Sequence, residues 1–256
     1  MKKLFILLAV LTPVLLQAAS PKFIGRRGSL YGVENTAEAF RNGAGMGYDY
    51  LECHVRLSSD SVFVAAHDGK TTRLGGRMKV EAMPLDSLRS ETYTQFNGDI
   101  TYKGTICTVG EFLDICRETG VFPLLHLKKI KGINDKDCSM VPALIDLIRS
   151  KGYTDEVIIL ASMPGVCDYI QKNYPSVKVM FQADEKWPER FDYCVDGRYD
   201  VDIKKEALDE TTIPRFHEKG LKVMTWTVNS IPEYLLLRDA GIDYVITDNL
   251  PARSLR

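Results

Sequence analysis

Glu52 and His54 stand two residues apart in Tyr48–His54, an apolar run of strand length, and His126 and Lys128 repeat that spacing in Val121–Lys128. Side chains of a strand alternate faces, so each pair points one way. Arg26-Arg27-Gly28 ends a first short run, Lys22–Gly25, and Glu34-Asn35-Thr36 opens the helical pattern behind it. His67-Asp68 closes Val62–His67, and Trp226 lies at the end of Leu221–Thr227. Three of the four histidines belong to this set; His217 falls in a helical stretch. Guanidinium, ammonium and imidazole groups gathered at strand ends suit an anion with several oxygens. Glu52, His54 and His126 also make a two-histidine, one-carboxylate set of the kind that takes a metal. Singly each residue has a bland reading as core or solvated surface. Together they need partners or a ligand, because buried charge is costly without them. Asn35 is expected to cap the first helix with Glu34 in the loop above it, and Trp226 to offer an apolar wall.

The elements that must hold these residues alternate. Further strand-length runs are Val157–Ala161, Val177–Phe181, Tyr199–Val201 and Tyr244–Thr247. Helical patterns fall between them at Thr36–Met46, Val109–Glu118, Met140–Ser150, Gly165–Asn173, Lys204–Glu218 and Pro232–Ala240, with Asp184–Arg190 and Pro251–Leu255 the weakest segments. Alternation implies βαβ units and a parallel sheet. Eight units in this length predict an α/β fold, a (β/α)8 TIM-type barrel with its chemistry at the C-terminal strand ends. Residues 69–106, with Gly75-Gly76, Asn97-Gly98 and Gly104, break the rhythm and read as a small insertion after the second βα unit. A doubly wound open sheet is the other candidate, but no Gly-rich phosphate loop follows the first strand.

Composition bounds the partners. Residues 1–20 read as a signal peptide, with Lys2-Lys3, an apolar run Leu4–Leu16 and small residues at Ala18-Ala19. That run is too short to span a bilayer. The expected location is therefore exported, periplasmic or secreted, with no stable membrane anchor after cleavage. Residues 21–256 suit one large domain, and a net charge of −1 gives no reason to expect nucleic acid. The six cysteines fit no zinc or redox spacing and read mostly as small buried apolar residues.

Taken in order, Arg27-Gly28, Glu34-Asn35-Thr36, Ala39-Phe40, Glu52, His67-Asp68, Lys128, Trp226-Thr227-Val228-Asn229, Gly241-Ile242-Asp243 and Thr247-Asp248 resemble the glycerophosphodiester phosphodiesterase family. The resemblance implies a (β/α)8 barrel that cleaves glycerol-phosphate diesters with a bound divalent cation. It also implies three departures: the family has His where this chain has Arg26, Asp where it has His54 and Glu where it has His126. Family carboxylates hold the metal, and only Glu52 remains, so Mg²⁺ or Ca²⁺, which want oxygen ligands, are disfavoured.

Three readings follow. In the first, catalysis needs no metal. Arg26, Arg27 and Lys128 cradle the phosphate, His54 or His126 is the base, and His67 is the acid toward the leaving alcohol. Arg26 then fills the cation's place, as in the metal-independent bacterial phosphoinositide-cleaving barrels. In the second, Glu52, His54 and His126 hold Zn²⁺, Mn²⁺ or Fe²⁺. In the third, catalysis is impaired and the cleft binds a phosphorylated small molecule without cleaving it. Glu34, Asn35 and Trp226 are expected to contact the small phosphodiester ligand in each.

Overall fold

The computed structural model describes residues 20–153 and 155–256; the leader reading lies outside them except at Ser20. Among the described residues twelve strands form in chain order: β1 Lys22–Gly25, β2 Tyr50–Leu57, β3 Phe63–Ala65, β4 Tyr93–Asn97, β5 Ile100–Gly104, β6 Cys107–Thr108, β7 Phe122–Leu127, β8 Ile158–Ala161, β9 Lys178–Gln182, β10 Asp200–Lys204, β11 Val223–Trp226 and β12 Tyr244–Thr247. Eight of these, β1, β2 and β7 to β12, pair in parallel, and β1 closes the ring by pairing both β2 and β12. The barrel expected from the alternation is the fold.

Two apolar layers support it. Ile24, Leu124, Ile158, Leu160, Met180, Met224, Tyr244 and Ile246 fill the inside of the barrel. A larger shell lies between the sheet and the surrounding helices, where Phe23, Phe40, Phe112, Leu125 and Ile159 are fully buried. Those helices are α1 Ala37–Gly45, α3 Val109–Thr119, α4 Val141–Ser150, α5 Pro164–Asn173, α6 Trp187–Gly197, α7 Thr212–His217 and α8 Ile231–Asp239, with the short α2 Leu85–Arg89 and α9 Ala252–Leu255 beside them. Their ends obey local chemistry. The Thr108 hydroxyl accepts the Glu111 amide at 3.1 Å while the Glu111 carboxylate accepts the Thr108 amide at 2.8 Å, a reciprocal cap on α3.

Several boundaries differ from expectation. The helix expected over Lys204–Glu218 shrinks to α7. The Asp209 carboxylate accepts bonds from the Thr211 amide and from the Thr211 and Thr212 hydroxyls, holding that segment as a turn. The weak segment Asp184–Arg190 becomes a 3-10 turn, Asp184–Lys186, leading into α6. β3 is antiparallel to β2, beyond the barrel rim. The segment read as an insertion after the second unit instead interrupts that unit, between β2 and α3. β2 outruns the barrel: residues Val55–Leu57 continue past the rim and pair with β3, which pairs in turn with β6. The insertion has its own small core of Val80, Leu88, Tyr93 and Ile106 and an antiparallel hairpin, β4–β5. All six cysteines are free thiols, five of them buried. No helix among the described residues is long and apolar enough to cross a membrane.

Candidate active site

Strand parity places the polar residues. Ile24 and Arg26, Leu124 and His126, Met180 and Gln182, Met224 and Trp226 are each two apart, so four of the strands that fill the barrel below offer a polar or aromatic side chain above. They converge on a cleft of about 120 Å³ lined by Arg26, Arg27, Glu52, His54, His67, His126, Lys128, Gln182, Asp184, Asp202 and Trp226.

Glu52 is its hub, 3 % exposed. One carboxylate oxygen lies 3.0 Å from His126 Nδ1 and 3.4 Å from His54 Nε2. The other accepts the Arg27 amide at 3.2 Å. That amide reaches it because Arg27 stands at φ +52°, a left-handed turn right after β1. Burial pushes Glu52 upward, but the hydrogen bond and electrostatic pull of His126 and the charges of Arg26 and Arg27 outweigh it and hold the carboxyl down at about 2. Glu52 is therefore a carboxylate at any working pH.

Burial first, and neighbouring charge after it, favour the neutral imidazoles. His54 is pushed well below the usual histidine range by burial, then by His126, Lys128, His67 and Arg27. His126 is lowered by burial, against its hydrogen bond to the Glu52 carboxylate, which works upward. His67 falls to about 4, through burial first and then Arg27 and Lys128, although Asp68 favours its proton. Lys128 Nζ lies 3.5 Å from His126 Nε2, and burial brings its ammonium down to about 8.

His67 is the best-positioned proton carrier. Its Nδ1 lies 2.7 Å from Asp68, which fixes the tautomer and leaves Nε2 free. Arg56 anchors its backbone by two guanidinium bonds to the His67 carbonyl, at 3.1 and 3.0 Å. Arg73, from the insertion, ties Asp68 at 2.7 Å and grips both Glu34 oxygens, at 2.8 and 2.5 Å. Glu34 also pairs with Arg27 at 2.7 Å.

Glu34 and Asn35 therefore do structural work where ligand contact was expected. They line a small hollow beside His67 with Arg73 and Tyr93, and neither borders the main cleft. Nor does Asn35 cap the helix: Thr36 does, accepting the Ala39 amide, because Asn35 sits at φ +56°, outside the extended range a cap needs. The Asn35 side-chain Oδ1 instead accepts the His54 amide at 3.0 Å and fixes β2. Trp226 lines the cleft as expected, and Arg26 lines it while pairing with Asp248 at 3.3 Å. His217 is elsewhere, on Asp243 at 2.8 Å.

Sequence reading missed Gln182, Asp184, Asp202, Arg56 and Arg73. Gln182 and Asp202 fall one residue beyond Val177–Phe181 and Tyr199–Val201; extending each run by a single inward position would have found them. Arg73 has no periodic signal, since a 3-10 turn of the insertion carries it.

A hard divalent cation does not fit this donor set. Within the close donor cluster of Glu52, His54 and His126 only Glu52 is a carboxylate, both its oxygens are engaged, and Mg²⁺ or Ca²⁺ wants several oxygens; Asp184 and Asp202 line the same cleft but stand outside that cluster. Glu52, His54 and His126 do bring donor atoms within 4.8 Å of one another, a donor type suited to Zn²⁺, Mn²⁺ or Fe²⁺. Arg26, Arg27 and Lys128 already supply positive charge beside Glu52, which works against adding a dication.

A family model described as the glycerophosphoryl diester phosphodiesterase family matches residues 19–252. No curated protein matches the chain in sequence. Solved structures agree in fold. A phosphodiesterase from Oleispira antarctica, in complex with the product sn-glycerol-3-phosphate, is 20% identical, with 92% of this chain and 96% of that one covered and a TM-score of 0.77. A glycerophosphodiester phosphodiesterase from Thermotoga maritima is 22% identical over 93% and 99%, TM-score 0.73. One from Parabacteroides distasonis is 17% identical over 92% and 95%, TM-score 0.74.

Proposed function

Since the chain belongs to the glycerophosphoryl diester phosphodiesterase family, we propose that it is a phosphoric diester hydrolase acting on glycerophosphodiesters or related lipid head-group diesters, with side-chain cations in place of a hard metal ion. One observation carries this. Ten buried side-chain N or O atoms among the described residues lack a hydrogen-bond partner, and five of them, on Arg27, His54, Asp184, Asp202 and Trp226, belong to residues of the one cleft. Buried polar atoms are normally satisfied, so such a concentration calls for a polar ligand.

The steps use groups already in place. Arg26, Arg27 and Lys128 hold the phosphoryl oxygens and meet the charge that builds on them. Neutral His67, oriented by Asp68, takes the proton of a substrate hydroxyl through Nε2 as that oxygen attacks phosphorus. The bond to the leaving alcohol breaks, and the departing oxygen takes a proton from Lys128, whose ammonium at about 8 is far more acidic than an alcohol. The product is a cyclic phosphate. Water then opens it, with its proton passing to Lys128 and the ring oxygen protonated by His67. His54 and His126 stay with Glu52 as the neutral floor. The leader reading at residues 1–20 puts this reaction outside the cytoplasm.

Phosphorus NMR on a mixture of the protein and glycerophosphodiesters tests the reading. A cyclic glycerol phosphate should appear first and a monoester after it. No turnover across a broad diester panel, with glycerol 3-phosphate still bound, would replace hydrolysis by binding alone.

A further inference from the structure

The proton carrier is not held by the barrel alone. His67 and Asp68 follow β3. Among the described residues the Asp68 carboxylate has two side-chain partners, His67 Nδ1 on one oxygen and Arg73 Nε on the other, each at 2.7 Å. The Asp68 side chain is 39 % exposed, so without a second anchor water competes for the carboxylate that aims the imidazole. Arg73 supplies that anchor from the 3-10 turn Thr71–Leu74 of the insertion. The turn is itself pinned. The Thr71 amide donates to the Met78 carbonyl at 3.0 Å and the Thr71 hydroxyl to Glu91 at 2.7 Å, and Gly75 ends the turn at φ +84°.

A guanidinium is a rigid fork. Nε of Arg73 takes Asp68, and its two terminal nitrogens take the two oxygens of buried Glu34. Glu34 in turn pairs with Arg27. One chain of charge-assisted bonds therefore runs His67–Asp68–Arg73–Glu34–Arg27 and ties the proton carrier to the phosphate cradle. Arg56 clamps the backbone end: it bonds the His67 carbonyl and reaches Glu81 of the insertion at 2.5 Å. The hollow between these groups is about 20 Å³, room for a single water, which leaves the Asp68 carboxylate little space to swing inward.

We propose that Arg73 is a positioning residue: acting through Asp68, it aims the His67 imidazole for proton transfer, so that the insertion completes the site. This goes beyond the phosphodiesterase reading and rests on it. A misaimed proton carrier slows the chemical step and leaves substrate binding largely intact, because Arg26, Arg27 and Lys128 still meet the phosphoryl oxygens.

Steady-state kinetics of the whole protein on a glycerophosphodiester test the assignment. Arg73→Met should lower kcat at least about tenfold and change KM by about twofold at most. Arg73→Lys keeps the charge but cannot grip Asp68 and Glu34 together, so it should recover part of kcat. Arg89→Ala is the control. It cuts another tether of the insertion, the pair with Glu111 at 2.5 Å, without touching Asp68. Its kcat should stay within about twofold of the wild type. An unchanged kcat in Arg73→Met, a loss carried by KM, or an equal loss in Arg89→Ala overturns the proposal. Nitrogen NMR of the His67 ring at pH 7 reads the same brace without turnover. A single tautomer protonated at Nδ1 is expected in the wild type and a mixture in Arg73→Met; the same state in both overturns the proposal. A wild type that gives this tautomer change yet cleaves no diester sinks the hydrolase reading and leaves the aiming of His67 by Arg73 standing.

Discussion

Replacing Lys128 by Met should make the protein less active and more stable together. Lys128 is largely buried, and its ammonium falls from an ordinary 10.5 to about 8, with burial the main cause. That gap is worth at most about 3 kcal/mol, and partial exposure reduces it to about 1–2 kcal/mol. The sign follows from proton counting. Below pH 8 both folded and unfolded chains carry the charge, and only the folded one bears its burial, so the gain from Met is complete there. As pH rises through 10.5 the unfolded chain loses its proton too and the gain disappears. Melting midpoints at pH 7 should rise by about 2–8 °C, at roughly 2–4 °C per kcal/mol for a domain this size. Over the same substitution kcat/KM on a glycerophosphodiester with an alkyl leaving alcohol should fall at least about 100-fold, as both a charge-assisted bond and the proton for the leaving oxygen are lost. Lys128→Arg restores the charge without a usable proton, so KM should recover more than kcat. Wild-type kcat/KM should decline above about pH 8, and that limb should vanish in both variants. Unchanged activity in Lys128→Met, or an alkaline limb that persists without Lys128, would refute the role given to this residue.

Other consequences concern the rest of the cleft. His67→Ala should abolish turnover, and wild-type kcat/KM should fall below about pH 4, where His67 gains its proton; a rate unaffected by the substitution rules out its part in proton transfer. Arg26→His with His54→Asp and His126→Glu rebuilds a three-carboxylate centre and should confer Mg²⁺- or Ca²⁺-dependent hydrolysis; a folded but inert triple variant contradicts the mapping of these positions. Arg73→Ala frees the insertion from Glu34 and Asp68 and should cost about 1 kcal/mol, given its half-exposed guanidinium, with faster proteolysis at residues 69–106 as the readout.

Much of this was legible because barrel strands alternate faces. Glu52–His54 and His126–Lys128 announced their inward parity by spacing alone, and Arg26-Arg27 marked a strand end. What escaped notice was chemistry that depends on one extra residue of strand or on a contact across the chain. Gln182 and Asp202 lie just past runs that stop before the strands do, by one residue at β9 and by three at β10. Asn35 was misread because its left-handed backbone turns it away from the helix and toward the His54 amide. Glu34 looked free because Arg73, distant in sequence, arrives on an insertion whose path no periodicity records. The length of α7 was overestimated because Asp209 engages local hydroxyls in competition with the helix.

The central claim is that Arg26, Arg27 and Lys128 do the work of a hard cation around a Glu52 already engaged by His126 and an amide. Its most direct test is kcat/KM on glycerophosphodiesters after exhaustive chelation, compared with samples given Mg²⁺, Ca²⁺ or Zn²⁺. Full turnover in the stripped protein and no stimulation by any of the three is the expected result. Turnover that disappears on chelation and returns with a divalent ion would contradict it.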